Sequence, residues 1–278
     1  MKIGVIGLGS IGKRHVTNLM EMGGHDILGC DARLGTDDWM SGLTIPTVSS
    51  VGAVWEWEPE AVIIATPPGS HYALAIQAIR RKINCLIEKP IASTSEEAGI
   101  LPWEAKNFGA HLAVGYQLPF TDASSAINIR DWNNDLRIIS KQDMSTWPSQ
   151  YRKDILEEFS HDIHLAVYWN GPVEKVVASQ IGSEWKIDLV HALARSYVHL
   201  NAAHPTLVRY ATAEQGTWGF ELGQNAQAYK DELAAFLSVC QGGTWDDRLC
   251  TGAQAAHVVR IIEAARESDA NCKVVSLA

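Results

Sequence analysis

The sequence predicts an α/β chain of two domains, a parallel sheet with helical crossovers over residues 1–118 and a second α/β domain over residues 119–278. Three observations carry that prediction. As far as Gly115, short apolar runs alternate with amphipathic stretches, as repeated strand-helix-strand units require when a parallel sheet is buried on both faces. From residue 173 onward, runs of strand character follow one another with turns and no helices between them, the pattern of an antiparallel or mixed sheet. The change falls at residues 115–120 without a low-complexity or charged tract, so it marks a change of architecture and not a loose linker.

In chain order, the first domain is expected to place strands at 3–6, 26–30, 61–65, 85–87 and 111–114, with helices at 70–81 and 95–107 among the crossovers. Runs such as Ala61-Val62-Ile63-Ile64 are short and β-branched, which suits a doubly covered strand. Beyond the boundary the expected order is a helix at 122–132, a strand at 136–144 and a helix at 155–169. Strands at 173–181, 190–200, 206–212 and 216–222 follow, and helices at 226–240 and 246–267 close the chain.

Composition narrows the function classes. Apolar residues at 46% and charged residues at 20% of 278 suit two globular cores. A formal charge of -9 argues against a nucleic-acid partner, which needs a basic face. The cysteines (Cys30, Cys85, Cys240, Cys250, Cys272) are odd in number and scattered, with neither metal-ligand nor disulfide-scaffold spacing, so free thiols in a reducing compartment are expected. The chain opens directly on strand residues and holds no run of about 18 apolar residues. A cytoplasmic location away from any membrane is expected.

Gly7-Leu8-Gly9-Ser10-Ile11-Gly12 fits G-x-G-x-x-G between a strand and a helix, the Rossmann dinucleotide fingerprint. Gly7 permits the tight turn, Gly9 lets backbone approach a pyrophosphate, and Gly12 lets helix and strand pack closely. Around Ser10 and Ile11 the helix start offers free N–H groups and the positive end of its dipole. Asp31 lies 19 residues after Gly12, where a carboxylate accepts hydrogen bonds from the ribose 2'-hydroxyl of NAD. Arg33 stands two residues later and suits a 2'-phosphate or an adenine face, which leaves NADP open.

Ala65-Thr66-Pro67-Pro68-Gly69-Ser70-His71 and Glu88-Lys89-Pro90 each end an expected strand. With Val114-Gly115-Tyr116-Gln117, Ser160-His161-Asp162 and Tyr229-Lys230-Asp231-Glu232-Leu233, they give the chain a resemblance over nearly its whole length to the Gfo/Idh/MocA family. These are the relatives of glucose-fructose oxidoreductase and inositol dehydrogenase. The resemblance implies an N-terminal Rossmann domain and a C-terminal α/β domain with a large, mostly antiparallel sheet that serves substrate binding and oligomer formation. It also implies NAD(P)-dependent chemistry on sugars, sugar derivatives or cyclitols. Thr66, Pro67, His71, Glu88, Lys89 and Gln117 then stand at the cofactor, with Lys89 beside the reacting carbon. An ammonium there stabilises an alkoxide developing on a hydroxyl being oxidised.

Removing hydride from a carbinol also requires removing a proton, and histidine suits that near neutrality. His161 is the candidate. The family pattern overlays a carboxylate on Glu158 and an aspartate on His164, three residues either side of it. On a helix all three share a face. Glu158 is expected to orient His161, and His164 to contact substrate, although histidine in place of aspartate departs from the pattern. Pro119, where relatives carry arginine, is a second departure. Buried or capping roles for His161 and His164 stay open, and no third ligand accompanies them, so no metal is expected. Tyr151 and Arg152 are candidate substrate contacts, and Trp132, Trp147, Trp169, Trp185 and Trp218 suit either a sugar face or the core.

The reading that results is an NAD(P)-dependent dehydrogenase or reductase acting on a carbinol or ketone of a sugar, with amino and nucleotide sugars among the candidates. One alternative is an NAD-dependent glycoside-cleaving enzyme that recycles its hydride internally. Another is a non-catalytic cofactor-binding regulator, against which the presence of both Lys89 and His161 weighs. A sheet with one open face points to a homodimer or homotetramer.

Overall fold

The computed structural model describes residues 1–34, 44–125, 135–144, 154–213, 216–219 and 225–277. They group into two compact units, Met1–Gly115 with Tyr229–Ala255, and Tyr116–Ala228 with Ala256–Ala278. The sequence predicts one unbroken second domain from 119 to 278, whereas the contacts assign Tyr229–Ala255 to the first unit.

In the first unit, β1 (Lys2–Ile6), β2 (Asp26–Cys30), β3 (Thr47–Val48), β4 (Ala61–Ile64), β5 (Asn84–Glu88) and β6 (Leu112–Gly115) are parallel, in the order β6-β5-β4-β1-β2-β3. All four residues of β4 are fully buried, as a central strand covered on both faces demands. The crossover helices are α1 (Ser10–Met22), α2 (Val51–Glu56), α3 (His71–Arg80) and α4 (Ser95–Phe108). Strong stops frame α4: the Thr94 hydroxyl accepts from the Glu97 N–H, and Gly109 at φ 72° ends the helix in the left-handed conformation. From β1 the chain winds outward to β2 and β3, then returns to β4 and winds the other way. Such a reversal opens a crevice at the carboxyl ends of β1 and β4, where doubly wound sheets bind ligands.

In the second unit the short helix α5 (Asp122–Ser125) precedes β7 (Leu136–Asp143), α6 (Ile155–Glu158) and α7 (Ser160–Asn170). Then come β8 (Val173–Ile181), β9 (Glu184–His191), β10 (Arg195–Asn201), β11 (Ala203–Ala213) and β12 (Gly216–Gly219). The chain closes with α8 (Asn225–Cys240), β13 (Cys250–Thr251), α9 (Gly252–Asn271) and β14 (Val275–Ser276). The order β12-β11-β7-β10-β9-β8-β14 makes the second sheet antiparallel except where β10 runs parallel to β7. β13 pairs antiparallel with β6 on the first sheet.

One face of the second sheet is dry, with Trp185, Ile187, Leu189, Val198 and Leu200 buried. Along β8 the opposite face shows Lys175, Val177, Ser179 and Ile181 to solvent. Trp169 and Trp185 are buried and belong to the core, while Trp132 and Trp147 lie outside the described residues, as do Tyr151 and Arg152.

The expected strand at 190–200 is two strands, β9 and β10, joined by a turn that the His191 N–H closes on the Ala194 carbonyl at 2.9 Å. The expected helix at 155–169 breaks at Phe159, where the Asp162 N–H reaches the Phe159 carbonyl three residues back and tightens the chain. The final helix starts at Gly252 and not at 246, because β13 intervenes. All five cysteines are free, no metal-binding cluster occurs among the described residues, and none of the helices searched is long and apolar enough to cross a membrane.

Candidate cofactor and active site

The glycine turn has the geometry its sequence implies. Gly7 lies at φ 89°, and a Cβ there would come 2.6 Å from the Ala65 carbonyl oxygen at the end of β4. A Cβ on Gly12 would overlap the Gly7 carbonyl oxygen outright. Both glycines therefore exist for packing. Gly9 differs, because a Cβ there would meet no atom within 4 Å. Gly9 caps α1 with no side-chain hydrogen bond, and Ser10 is exposed. The helix start thus presents uncapped N–H groups beside open space, the cradle a pyrophosphate requires.

Asp31 is committed more heavily than the sequence implies. Its carboxylate accepts from the Leu8 N–H at 2.9 Å, from the Arg33 N–H at 2.9 Å and from the Arg33 guanidinium at 3.0 and 3.1 Å. Those donors, the Arg33 side chain first, hold the carboxyl down at about 2. Asp31 thereby ties the glycine turn to the end of β2, and Arg33, more than half exposed, is the side chain that reaches outward.

The other motif residues cluster at the same ends of the same sheet. Lys89 follows β5, is half-buried and precedes a cis peptide bond to Pro90. Glu88 is turned inward: its Oε1 lies 2.7 Å from Nε2 of the fully buried His15, and its carboxylate lies about 3.1 Å from where a Gly115 Cβ would stand. Glu88 is thus a support within the sheet, fixed between His15 and Gly115. The sequence places His71 at the cofactor, yet the structure buries it with both ring nitrogens on backbone carbonyls. At the end of β4, Thr66 is half-buried and Pro67 exposed. The Tyr229 motif lies beneath, with the Arg14 guanidinium 4.6 Å from the Tyr229 ring and His15 edge-on to it. Burial pushes the Tyr229 phenol well above its usual range. Its role is packing.

In the second unit, α7 packs on β7 and β10. His161 is partly exposed and edge-on to the Tyr116 ring at 5.3 Å. Glu158, half-buried, closes α6 across the Phe159 break from it. His164 is fully buried and stacked on Tyr116 at 4.4 Å, with neither ring nitrogen hydrogen-bonded among the described residues. Burial holds its pKa down at about 3, so the ring is neutral at physiological pH. His164, expected to contact substrate, and Gln117, expected at the cofactor, are both buried.

Two features of this unit lie outside what the sequence suggested. Asp162, fully buried, meets the Arg209 guanidinium at 2.9 Å and fixes α7 to β11. Glu157, beside Glu158, is half-buried, and burial raises its carboxyl above the usual range; it accepts from Arg266 at 3.3 Å. The acidic character of residues 157–158 was the available signal for Glu157, but the sequence does not say which of the two meets Arg266.

Fold and glycine turn together define a dinucleotide-binding Rossmann protein. Residues 1–116 match the Gfo/Idh/MocA model, described as oxidoreductase family, NAD-binding Rossmann fold. UDP-N-acetylglucosamine 3-dehydrogenase of Acidithiobacillus ferrooxidans is 30% identical over 119 residues, 42% of this chain and 37% of that enzyme. Glucose-6-phosphate 3-dehydrogenase of Bacillus subtilis is 25% identical over 137 residues, 49% of this chain and 39% of that enzyme. The aligned stretches thus span well under half of either relative. Among solved structures, a myo-inositol dehydrogenase from Corynebacterium glutamicum shares the fold at a TM-score of 0.87 and 19% identity, over 100% of this chain and 99% of that one.

Proposed function

We propose that the protein is an NAD(P)-dependent dehydrogenase or reductase acting on a CH–OH group, or the matching ketone, of a sugar or sugar derivative. The observation that carries the reading is the placement, at the carboxyl ends of β1 and β5 in the first sheet, of an open glycine cradle at Gly9 and a half-buried Lys89. The residues fit a nicotinamide dinucleotide: Gly9 and the start of α1 would hold its pyrophosphate, and Asp31 or Arg33 its adenosine ribose. When bound, the nicotinamide supplies a two-electron hydride acceptor or donor.

The chain's own residues supply the rest. Lys89 places an ammonium where charge develops on the substrate oxygen. His161 exchanges the hydroxyl proton, oriented by a carboxylate at Glu158 or Glu157, while His164 stays neutral and packs behind it through Tyr116. A sugar-type substrate is supported by the two relatives, which are named for sugar 3-dehydrogenation. A cytoplasmic location follows from the free thiols, and a homodimer or homotetramer from the open face of the second sheet. In this reading the first domain binds cofactor, and the second binds substrate and joins subunits.

The test is Lys89→Ala assayed against a panel of sugars, sugar phosphates and nucleotide sugars. Turnover should fall at least about 10²-fold, as loss of one donor to a developing oxyanion costs, with NADH affinity within a few-fold. Unchanged turnover would remove Lys89 from the chemistry.

A further inference from the structure

His71 opens α3 with its ring almost fully buried. Nδ1 lies 2.7 Å from the Pro90 carbonyl oxygen and Nε2 lies 2.7 Å from the Thr66 carbonyl oxygen. A carbonyl oxygen only accepts, so both contacts are hydrogen bonds only when both ring nitrogens donate. That state is the imidazolium. In the neutral ring one nitrogen lone pair faces a carbonyl lone pair, and that contact must open.

Two other histidines, the buried His191 and the half-buried His257, are placed differently. His191 contacts one carbonyl, of Gly171, and the Ser196 hydroxyl, which donates or accepts as the ring requires. His257 accepts the Val173 N–H through Nε2. Neither placement demands a second proton.

We propose that His71 is a proton-operated clamp, and through it a positioning residue for Lys89. Protonated, it ties the Ala65-Thr66-Pro67 turn after β4 to the Lys89-Pro90 turn after β5. When the proton leaves, one tie breaks and the two turns part. The clamp is therefore closed on the acid side of the His71 titration and loosened on the basic side.

The charges on the elements around it leave the carbonyls as the groups that hold the cation. Glu88, on β5, is engaged by His15 of α1, and Arg80 of α3 pairs with Glu104 of α4 at 2.6 Å. Lys89 follows β5 with a like charge, and Ser70 and Thr66 contribute only hydroxyls, bonded to each other at 2.8 Å. The positive end of the α3 dipole opposes an imidazolium at the first helical position.

The consequence for turnover rests on the catalytic reading of Lys89; the clamp itself does not, and its test needs neither cofactor nor substrate. The full-length protein, labelled with 15N, is titrated between about pH 5 and pH 8, where histidine ordinarily changes charge. The His71 ring nitrogens and the Thr66, Lys89 and Ile91 amides are followed together. The expected result is a doubly protonated ring, with the three amides unshifted while it stays so and shifting at the ring's own midpoint when it loses a proton. His71→Gln should abolish any titration of those amides. A bare ring nitrogen throughout the titration, a ring that titrates while the amides stand still, or amides that still titrate in His71→Gln overturns the proposal.

Discussion

Gly9 and Gly12 lie three residues apart in one turn, and the structure gives them opposite reasons for being glycine. Gly9 has φ -64° and ψ -169°, open to any residue, and a Cβ there meets nothing within 4 Å. Alanine at 9 is therefore expected to stabilise the free protein by about 0.4–1 kcal/mol through the unfolded state, a rise in melting temperature of roughly 1–4 °C. The same methyl group occupies the space in which a pyrophosphate would reach the N–H groups of α1. Losing one hydrogen bond to a charged group costs about 1.5–3 kcal/mol, so the NADH dissociation constant should rise about 10- to 150-fold. Gly12→Ala instead drives its Cβ into the Gly7 carbonyl oxygen. It should destabilise the free protein by at least about 1–3 kcal/mol. Thermal unfolding without cofactor and energy transfer from tryptophan to NADH read the two effects separately. If Gly9→Ala binds NADH within twofold of the parent, or Gly12→Ala melts with it, the assignment of one glycine to ligand and the other to packing is wrong.

Arg209→Leu leaves the buried Asp162 carboxylate without its guanidinium, and should lower stability by about 3–5 kcal/mol in a urea titration; a loss below about 1 kcal/mol would show the pair to be solvated. Asp31 is held at about 2, below its ordinary 3.8. A depressed carboxyl contributes stability above its unfolded value and loses it as pH falls through the folded one, so about 1–2 kcal/mol should disappear between about pH 4 and pH 2. Asp31→Asn should flatten that part of the profile, and an unchanged acid limb would contradict the four hydrogen bonds assigned to the carboxylate.

What the sequence revealed and what it hid have different physical scales. The glycine turn, Asp31 and the Glu88-Lys89-Pro90 strand end were legible because each is a local pattern whose constraint acts within a few residues. The turn between β9 and β10 was not, since Ala192-Leu193-Ala194 carries none of the glycine, proline, asparagine or aspartate that marks a hairpin, and Leu193 is 81% exposed. β9 itself alternates in period two, with Trp185, Ile187 and Leu189 inward and Lys186 outward. That signal was present and was masked by the charged residues between. The roles of His71, Glu88 and His164 were hidden for another reason: each depends on a partner 73, 48 or as few as 5 residues distant, namely His15 for Glu88, Tyr116 for His164, and the Thr66 and Pro90 carbonyls for His71. A motif names such a residue without saying which way it turns.

The measurement closest to the central claim is a titration of the unmodified protein with NADH and, separately, NADPH, read by energy transfer from tryptophan. Saturable micromolar binding of at least one is the predicted outcome, and preference between them reports whether Asp31 or Arg33 meets the adenosine ribose. Binding of neither by folded protein free of bound cofactor would contradict the account, because the open cradle at Gly9 would then have no ligand.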